Sequence, residues 1–166
     1  MNDPRTEAGP FRVLFVCTGN TCRSPMAEVI ARRRLADRGW TQVEVRSAGV
    51  GAFEGSPVSG GALRTAARHG LDLSGHEATY LTREVADAAD LILTMSASHL
   101  ARVRELGAGE RAAIITSFAA ADGEEGVAAG VPDPIGGPDE EYAQTFDVLA
   151  ALIERALERL EPVVKP

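Results

Sequence analysis

The run Val13-Leu14-Phe15-Val16, followed directly by Cys17-Thr18-Gly19-Asn20-Thr21-Cys22-Arg23-Ser24-Pro25, constrains the fold of this 166-residue chain more than any other feature. Four consecutive apolar residues suit a strand buried on both faces, which is the pattern of a parallel sheet. Pro25 suits the first helical position, where a fixed φ helps and a missing N–H costs nothing. Met26, Ala27, Ile30, Ala31 and Leu35 then mark one face of a helix that runs to Gly39. The chain must therefore turn from buried strand to helix start within a few residues. Gly19 permits left-handed backbone in that turn, so successive amide N–H groups can face inward as an anion-binding nest.

The remainder repeats the alternation of short apolar runs with amphipathic segments. Strands are predicted at 12–17, 43–47, 90–95 and 112–116. Helices are predicted at 25–39, at 57–69 with Gly70 closing it, at 82–88, and at 96–106 with Ser96 as its cap. A last helix starts near Pro138 and carries Tyr142, Phe146, Leu149, Ile153 and Leu157 or Leu160 at helical spacing. Residues 119–137, rich in Ala, Gly, Asp and Pro, read as a long surface loop, and Gly123-Glu124-Glu125 as a solvated part of it. This order implies an α/β fold with a mostly parallel sheet and helices on both faces. Ligands of such sheets sit beyond the carboxyl ends of the strands, which is where Cys17 falls. Residues 11–166 read as a single domain, and the polar residues 1–10, without a signal-peptide core, as a disordered lead-in.

Charge and cysteine usage exclude several classes. A formal net charge of −7 disfavours a broad nucleic-acid or anionic-membrane surface, since both need a basic field. No segment approaches the roughly 18 apolar residues of a membrane span. Cys17 and Cys22 alone cannot complete a zinc site, and His69, His76 and His99 are scattered, so no metal or other cofactor is expected. Two cysteines point to a reducing, cytoplasmic setting. The chain is expected to be a monomer.

Within the loop each residue type suits phosphate chemistry. A thiol attacks well only as a thiolate, and a helix N-terminus with a nearby cation favours that form. Arg23 supplies a fixed charge with a fork for two phosphate oxygens. Ser24 can donate its hydroxyl to the sulfur, stabilising the thiolate both before attack and as leaving group. The plain alternative is a buried cysteine beside an arginine by chance. Nine contiguous residues, Cys17 to Pro25, that each suit one mechanism weigh against it.

The loop and its surroundings resemble the low-molecular-weight protein tyrosine phosphatase family over nearly the whole chain. The resemblance rests on Val16-Cys17 through Ser24-Pro25, Ser47-Ala48-Gly49, His76 and Asp133-Pro134. It implies a three-layer flavodoxin-like fold with a four-stranded parallel sheet, a covalent cysteinyl-phosphate intermediate, phosphorylated protein substrates and no metal. By resemblance Cys17 is the nucleophile, Arg23 with the amides from Thr18 to Ser24 binds phosphate, and Asp133 is the general acid and then base. Asn20, Ser24, Ser47 and His76 match positions that brace the loop, with Asn20 tied to Ser47 and His76. Cys22 is read either as a packing residue or, as the resemblance implies, as the thiol that traps Cys17 in a reversible disulfide. His69 and His99 match nothing and are expected on helix surfaces.

The substrate rests on fewer residues. Thr21 stands where phosphotyrosine enzymes of this family carry isoleucine or leucine, and Ile135-Gly136-Gly137 where they carry an aromatic. Thr79 replaces an arginine common in that branch. These departures resemble the protein arginine phosphatase branch. A planar polar guanidinium prefers a hydroxyl and a carboxylate, which Thr21 and Asp133 offer. Phe53, where the tyrosine branch has an aromatic wall, favours phosphotyrosine, although a guanidinium also stacks on a ring. Phosphoarginine is the preferred reading and phosphotyrosine the alternative. An arsenate reductase would need further resolving cysteines. A flavodoxin-like carrier would need flanking aromatics, and a binding module would lack Cys17 or Asp133.

Overall fold

Val13 to Cys17 are buried without interruption in the computed structural model, which describes residues 9–120 and 130–164. They form most of β1 (Phe11–Cys17), flanked by β2 (Val43–Gly49) and β3 (Leu91–Thr94), with β4 (Ala112–Ile114) outside β3. All pairings are parallel, in the order β2-β1-β3-β4. Successive side chains of β1 point to opposite faces. Val13 and Phe15 join Met26, Ile30, Leu149 and Ile153 in one core, while Leu14 and Val16 join Leu81, Ile92 and Val103 in another. The uninterrupted apolar run thus serves two cores at once.

The first face carries α1 (Arg23–Arg38), α2 (Gly60–Arg68) and α6 (Asp139–Val164). The second carries α3 (Arg83–Asp87) and α4 (Ala97–Glu105). A short α5 (Ile115–Ala119) follows β4. This is the expected α/β architecture, a four-stranded parallel sheet with helices on both faces. The strand order reverses between β1 and β3, so the crevice beyond their carboxyl ends is the natural ligand position. Among the described residues no helix is long and apolar enough to cross a membrane.

Four local expectations are corrected. α1 begins at Arg23 rather than Pro25, placing Pro25 at the third helical position. Its missing N–H still falls among the unpaired donors of the first turn, so the helix loses nothing. The strand predicted over 112–116 ends at Ile114, because β3 ends at Thr94, opposite it, and offers no further partner. The chain turns into α5 there. Pro57 lies before α2 in an antiparallel bridge with Glu77, and Ser59 caps the helix by accepting from Ala62 N–H. Ser96 stands at the N-cap of α4 but makes no side-chain cap bond. Most of the 1–10 lead-in and the Gly123-Glu124-Glu125 stretch lie outside the described residues.

Candidate active site

Cys17 closes β1, and its Sγ lies 2.9 Å from Ser24 Oγ and accepts from Asn20 N–H at 3.3 Å. Ser24 Oγ in turn accepts from Asn20 Nδ2 at 2.7 Å. With one lone pair engaged by the amide, the Ser24 hydroxyl is free to direct its proton at the sulfur. A hydroxyl donated to sulfur favours the thiolate. α1 starts immediately behind, so the unpaired amides of its first turn and the positive end of its dipole face the same space.

Asn20 is the pivot of the loop. It is fully buried, and its φ of 54° makes it the one non-glycine with positive φ among the described residues. Its carbonyl accepts from His76 Nε2 at 2.8 Å, which places the ring proton on that nitrogen. Its Oδ1 accepts from Thr79 N–H at 2.9 Å. Every polar group of Asn20 is thereby committed, and left-handed backbone is tolerated more readily by Asn than by other side chains. Gly49, opposite Cys17 in the sheet, lies against this turn. A Cβ there would press into the Thr18 carbonyl and, at 2.8 Å, the Asn20 amide nitrogen. Val50 N–H and Gly51 N–H also hold the carbonyls of Cys17 and Thr18 at 3.0 and 2.9 Å.

Arg23 lies buried at the first helical position, with Nη1 donating to the Val131 carbonyl at 2.9 Å and Nη2 3.5 Å from Asp133 Oδ2. One guanidinium therefore spans the cysteine loop and the segment bearing the carboxylate. Asp133 Oδ1 accepts from Ile135 N–H at 3.1 Å, an Asx turn that orients the carboxyl group between Pro132 and Pro134. Phe53 and Ile135 stand open to solvent, at 82% and 62% exposure. Thr21 is half-buried, and its carbonyl accepts from Ser59 N–H at 2.9 Å. Gly19 keeps room for the Thr21 hydroxyl, since a Cβ at Gly19 would come within 3.3 Å of it.

Cys22 is also a free, buried thiol. Its Sγ donates to Ser59 Oγ at 3.2 Å and lies 3.5 Å from the hydroxyl of Tyr142 on α6. Burial and the Cys22 contact raise the pKa of Tyr142. The loop cysteines thus face different partners, Cys17 toward Ser24 and Asn20, Cys22 toward α2 and α6.

Two expected placements, of Ser47 and of His99, are corrected. Ser47 does not join Asn20; its Oγ donates to Glu28 Oε1 on α1 at 2.9 Å. It sits opposite Phe15, two residues below the loop, where α1 is the nearer partner. His99 was expected on a helix surface and is only 2% exposed. Its Nε2 lies 2.9 Å from Thr18 Oγ1 and its Nδ1 3.0 Å from Ser96 Oγ. Burial, and secondarily the Arg23 charge, lower its pKa to about 4, so the ring is neutral at pH 7. His69 is exposed and stacks on Phe146, ring centroids 4.0 Å apart. The i+3 spacing of Ser96 and His99 at a helix start was the available signal for His99; its contact with Thr18 spans 81 residues and has no local trace.

The Cys17 sulfur, the first-turn amides of α1, the Arg23 fork and the Asp133 carboxylate linked to that fork lie together beyond the carboxyl end of β1. Such a set suits in-line displacement at phosphorus with a proton donor on the leaving side. The chain is 38% identical over 152 residues to the protein-arginine-phosphatase of Geobacillus stearothermophilus, covering 92% of this chain and 97% of that one. It is 36% identical over 144 residues to the low molecular weight protein-tyrosine-phosphatase Wzb of Escherichia coli (strain K12), covering 87% and 88%. A crystal structure of a low molecular weight protein tyrosine phosphatase from T. tengcongensis superposes with a TM-score of 0.82 at 41% identity, covering 90% of this chain and 99% of that chain. Residues 12–165 match the low molecular weight phosphotyrosine protein phosphatase model, and the chain belongs to that family.

Proposed function

We propose that this cysteine-based phosphatase hydrolyses phosphoarginine in proteins. The Cys17 thiolate attacks phosphorus, forming an S–P bond as the P–N bond breaks. Asp133 gives its proton to the departing guanidine nitrogen, which is too basic to leave unprotonated. The same carboxylate then takes a proton from water as that water displaces the Cys17 sulfur, releasing phosphate and restoring the thiolate. Amides of residues 18–24 and the Arg23 fork carry the charge of the equatorial oxygens. Asn20, Ser24 and His76 hold the loop in its receiving shape, while Ser47 acts further back through α1.

The observation that carries the reading is the Arg23 bridge from the cysteine loop to the Asp133 segment, 3.5 Å from the carboxylate. It joins charge stabilisation and proton donation in one rigid unit. For the substrate, the half-buried Thr21 offers a hydroxyl and a slimmer profile than isoleucine. The resemblance to a protein-arginine-phosphatase supports the same assignment. Exposed Phe53 and the resemblance to Wzb favour phosphotyrosine as the second reading. The protein is read as a cytoplasmic monomer, working where its two thiols stay reduced.

The test compares phosphoarginine and phosphotyrosine in one peptide sequence, with wild type and Thr21→Ile. Wild type is expected to favour phosphoarginine and the variant to shift toward phosphotyrosine. A wild type that prefers phosphotyrosine, unchanged by the substitution, would sink the arginine assignment.

A further inference from the structure

We infer that His99 is a positioning residue that sets the separation between the nucleophile loop and the acid segment, acting through Thr18. The inference rests on the phosphatase reading above. Both halves of the crevice hang on the junction between β3 and α4. On one side Val131 N–H donates to the Met95 carbonyl at 2.8 Å, and the Val131 carbonyl receives Arg23 Nη1 at 2.9 Å. Two residues beyond Val131 stands Asp133. Gly130, with φ of 71°, packs so closely on Met95 that a Cβ would meet its carbonyl and come within 3.2 Å of Ser96 Cα.

On the other side the same junction reaches the cysteine loop through one side chain, His99. Its ring spans Ser96 Oγ at 3.0 Å and Thr18 Oγ1 at 2.9 Å. Ser96 is itself fixed by Thr94 Oγ1, which donates to its carbonyl at 3.0 Å. The contacts close a ring: Thr18, His99, the Met95–Ser96 peptide, Val131, Arg23, and back through the loop to Thr18. A neutral imidazole donates at one nitrogen and accepts at the other, so it can pin two hydroxyls at a fixed span with little rotamer freedom. A histidine that merely fills the core needs neither a loop threonine nor the residue next to the acid segment's anchor.

Loosening this pin should let the acid drift from the leaving atom while the phosphate nest stays intact. The test measures kcat/KM for aryl phosphates whose leaving phenols span a range of acidity. Phenyl phosphate needs the acid, whereas p-nitrophenyl phosphate barely does. With His99→Phe we expect a loss of about 10- to 100-fold on phenyl phosphate and little on p-nitrophenyl phosphate. Inhibition by inorganic phosphate should stay within about threefold of wild type. His99→Gln, whose amide reaches toward Thr18, should rescue the slope; His99→Asn, reaching only Ser96, should not. Thr18→Val should reproduce the defect, and the double variant should be no worse than either single.

Uniform loss across the series, or penalties that multiply in the double variant, would overturn the inference. If His99→Phe fails to fold, Thr18→Val and His99→Gln carry the comparison. A wild type that releases phosphate neither from phosphoarginine peptides nor from aryl phosphates would instead overturn the phosphatase reading itself, and this role with it.

Discussion

Replacing Asn20 is the sharpest perturbation of the loop, because one side chain supplies acceptor, donor and backbone tolerance together. Asn20→Ala deletes the 2.7 Å bond to Ser24 and the 2.9 Å bond from Thr79. Ser24 keeps Cys17 and Thr79 is half-buried, so each lost bond costs about 0.5–3 kcal/mol. A side chain without local hydrogen bonding, held at φ of 54°, adds about 1 kcal/mol of strain. The sum, about 2–7 kcal/mol, corresponds to a fall in Tm of at least about 4 °C for a domain of this size. Asn20→Gly loses the same two bonds without the strain, so the difference between the variants isolates the backbone contribution. Asn20→Asp keeps the acceptor for Thr79 but withdraws the donor from Ser24 and brings an anion toward the sulfur. Its acid limb of kcat/KM should move to higher pH. Urea melts and pH–rate profiles of the three variants decide the matter. An Asn20→Ala protein within about 1 kcal/mol of wild type, with an unmoved pH profile for Asn20→Asp, would refute this account of the loop.

Gly49→Ala has no space beside Thr18 and Asn20, so it should abolish turnover while leaving the sheet folded by circular dichroism; retained activity would show that the loop can shift. His99 gives a pH signature: its folded pKa, lowered from 6.5 to about 4, means the unfolded chain takes up a proton that the native state refuses. Its contribution is fully present above pH 6.5 and falls away toward pH 4, so the stability profile of His99→Gln should be flatter than wild type across that window. Peroxide should convert the Cys17 thiolate to a sulfenic acid with release of hydroxide, and the Cys22 thiol, released from Ser59 and Tyr142, then condenses with it to form a disulfide and water. Recovery with a thiol reductant is then expected in wild type and lost in Cys22→Ser, and equal recovery in both would leave Cys22 a packing residue.

What could be read in advance was local. The apolar run before Cys17 and the proline after the turn lie close together in the sequence and their constraints add, although the left-handed residue of the turn is Asn20 and not Gly19. The strand, loop and helix therefore stand where expected, with the helix start shifted by two residues. The parallel sheet followed because only crossover helices join parallel strands in this rhythm. Contacts between distant segments left weaker traces. Ser47 was expected to meet Asn20, but strand register puts it against Glu28, and register is not visible in one strand's own residues. His99 was expected on a helix surface because it matched no motif position, although its i+4 spacing to Val103 puts both on the buried face of α4. Its burial comes from Thr18, brought there by the β1–β3 pairing. Tyr142 read correctly as a core position of the last helix, but its hydroxyl contact with Cys22 depends on how α6 crosses the start of α1.

The central claim is phosphoryl transfer to Cys17, and rapid quenching followed by peptide mass spectrometry tests it most directly. The enzyme is mixed with a phosphoarginine peptide, quenched within the first turnover and digested. One phosphoryl group on the peptide containing Cys17, appearing as fast as dephosphorylated peptide is released and absent in Cys17→Ala, is the predicted result. Release of dephosphorylated peptide at the wild-type rate with no phosphoryl group on Cys17, or undiminished turnover by Cys17→Ala, would contradict it.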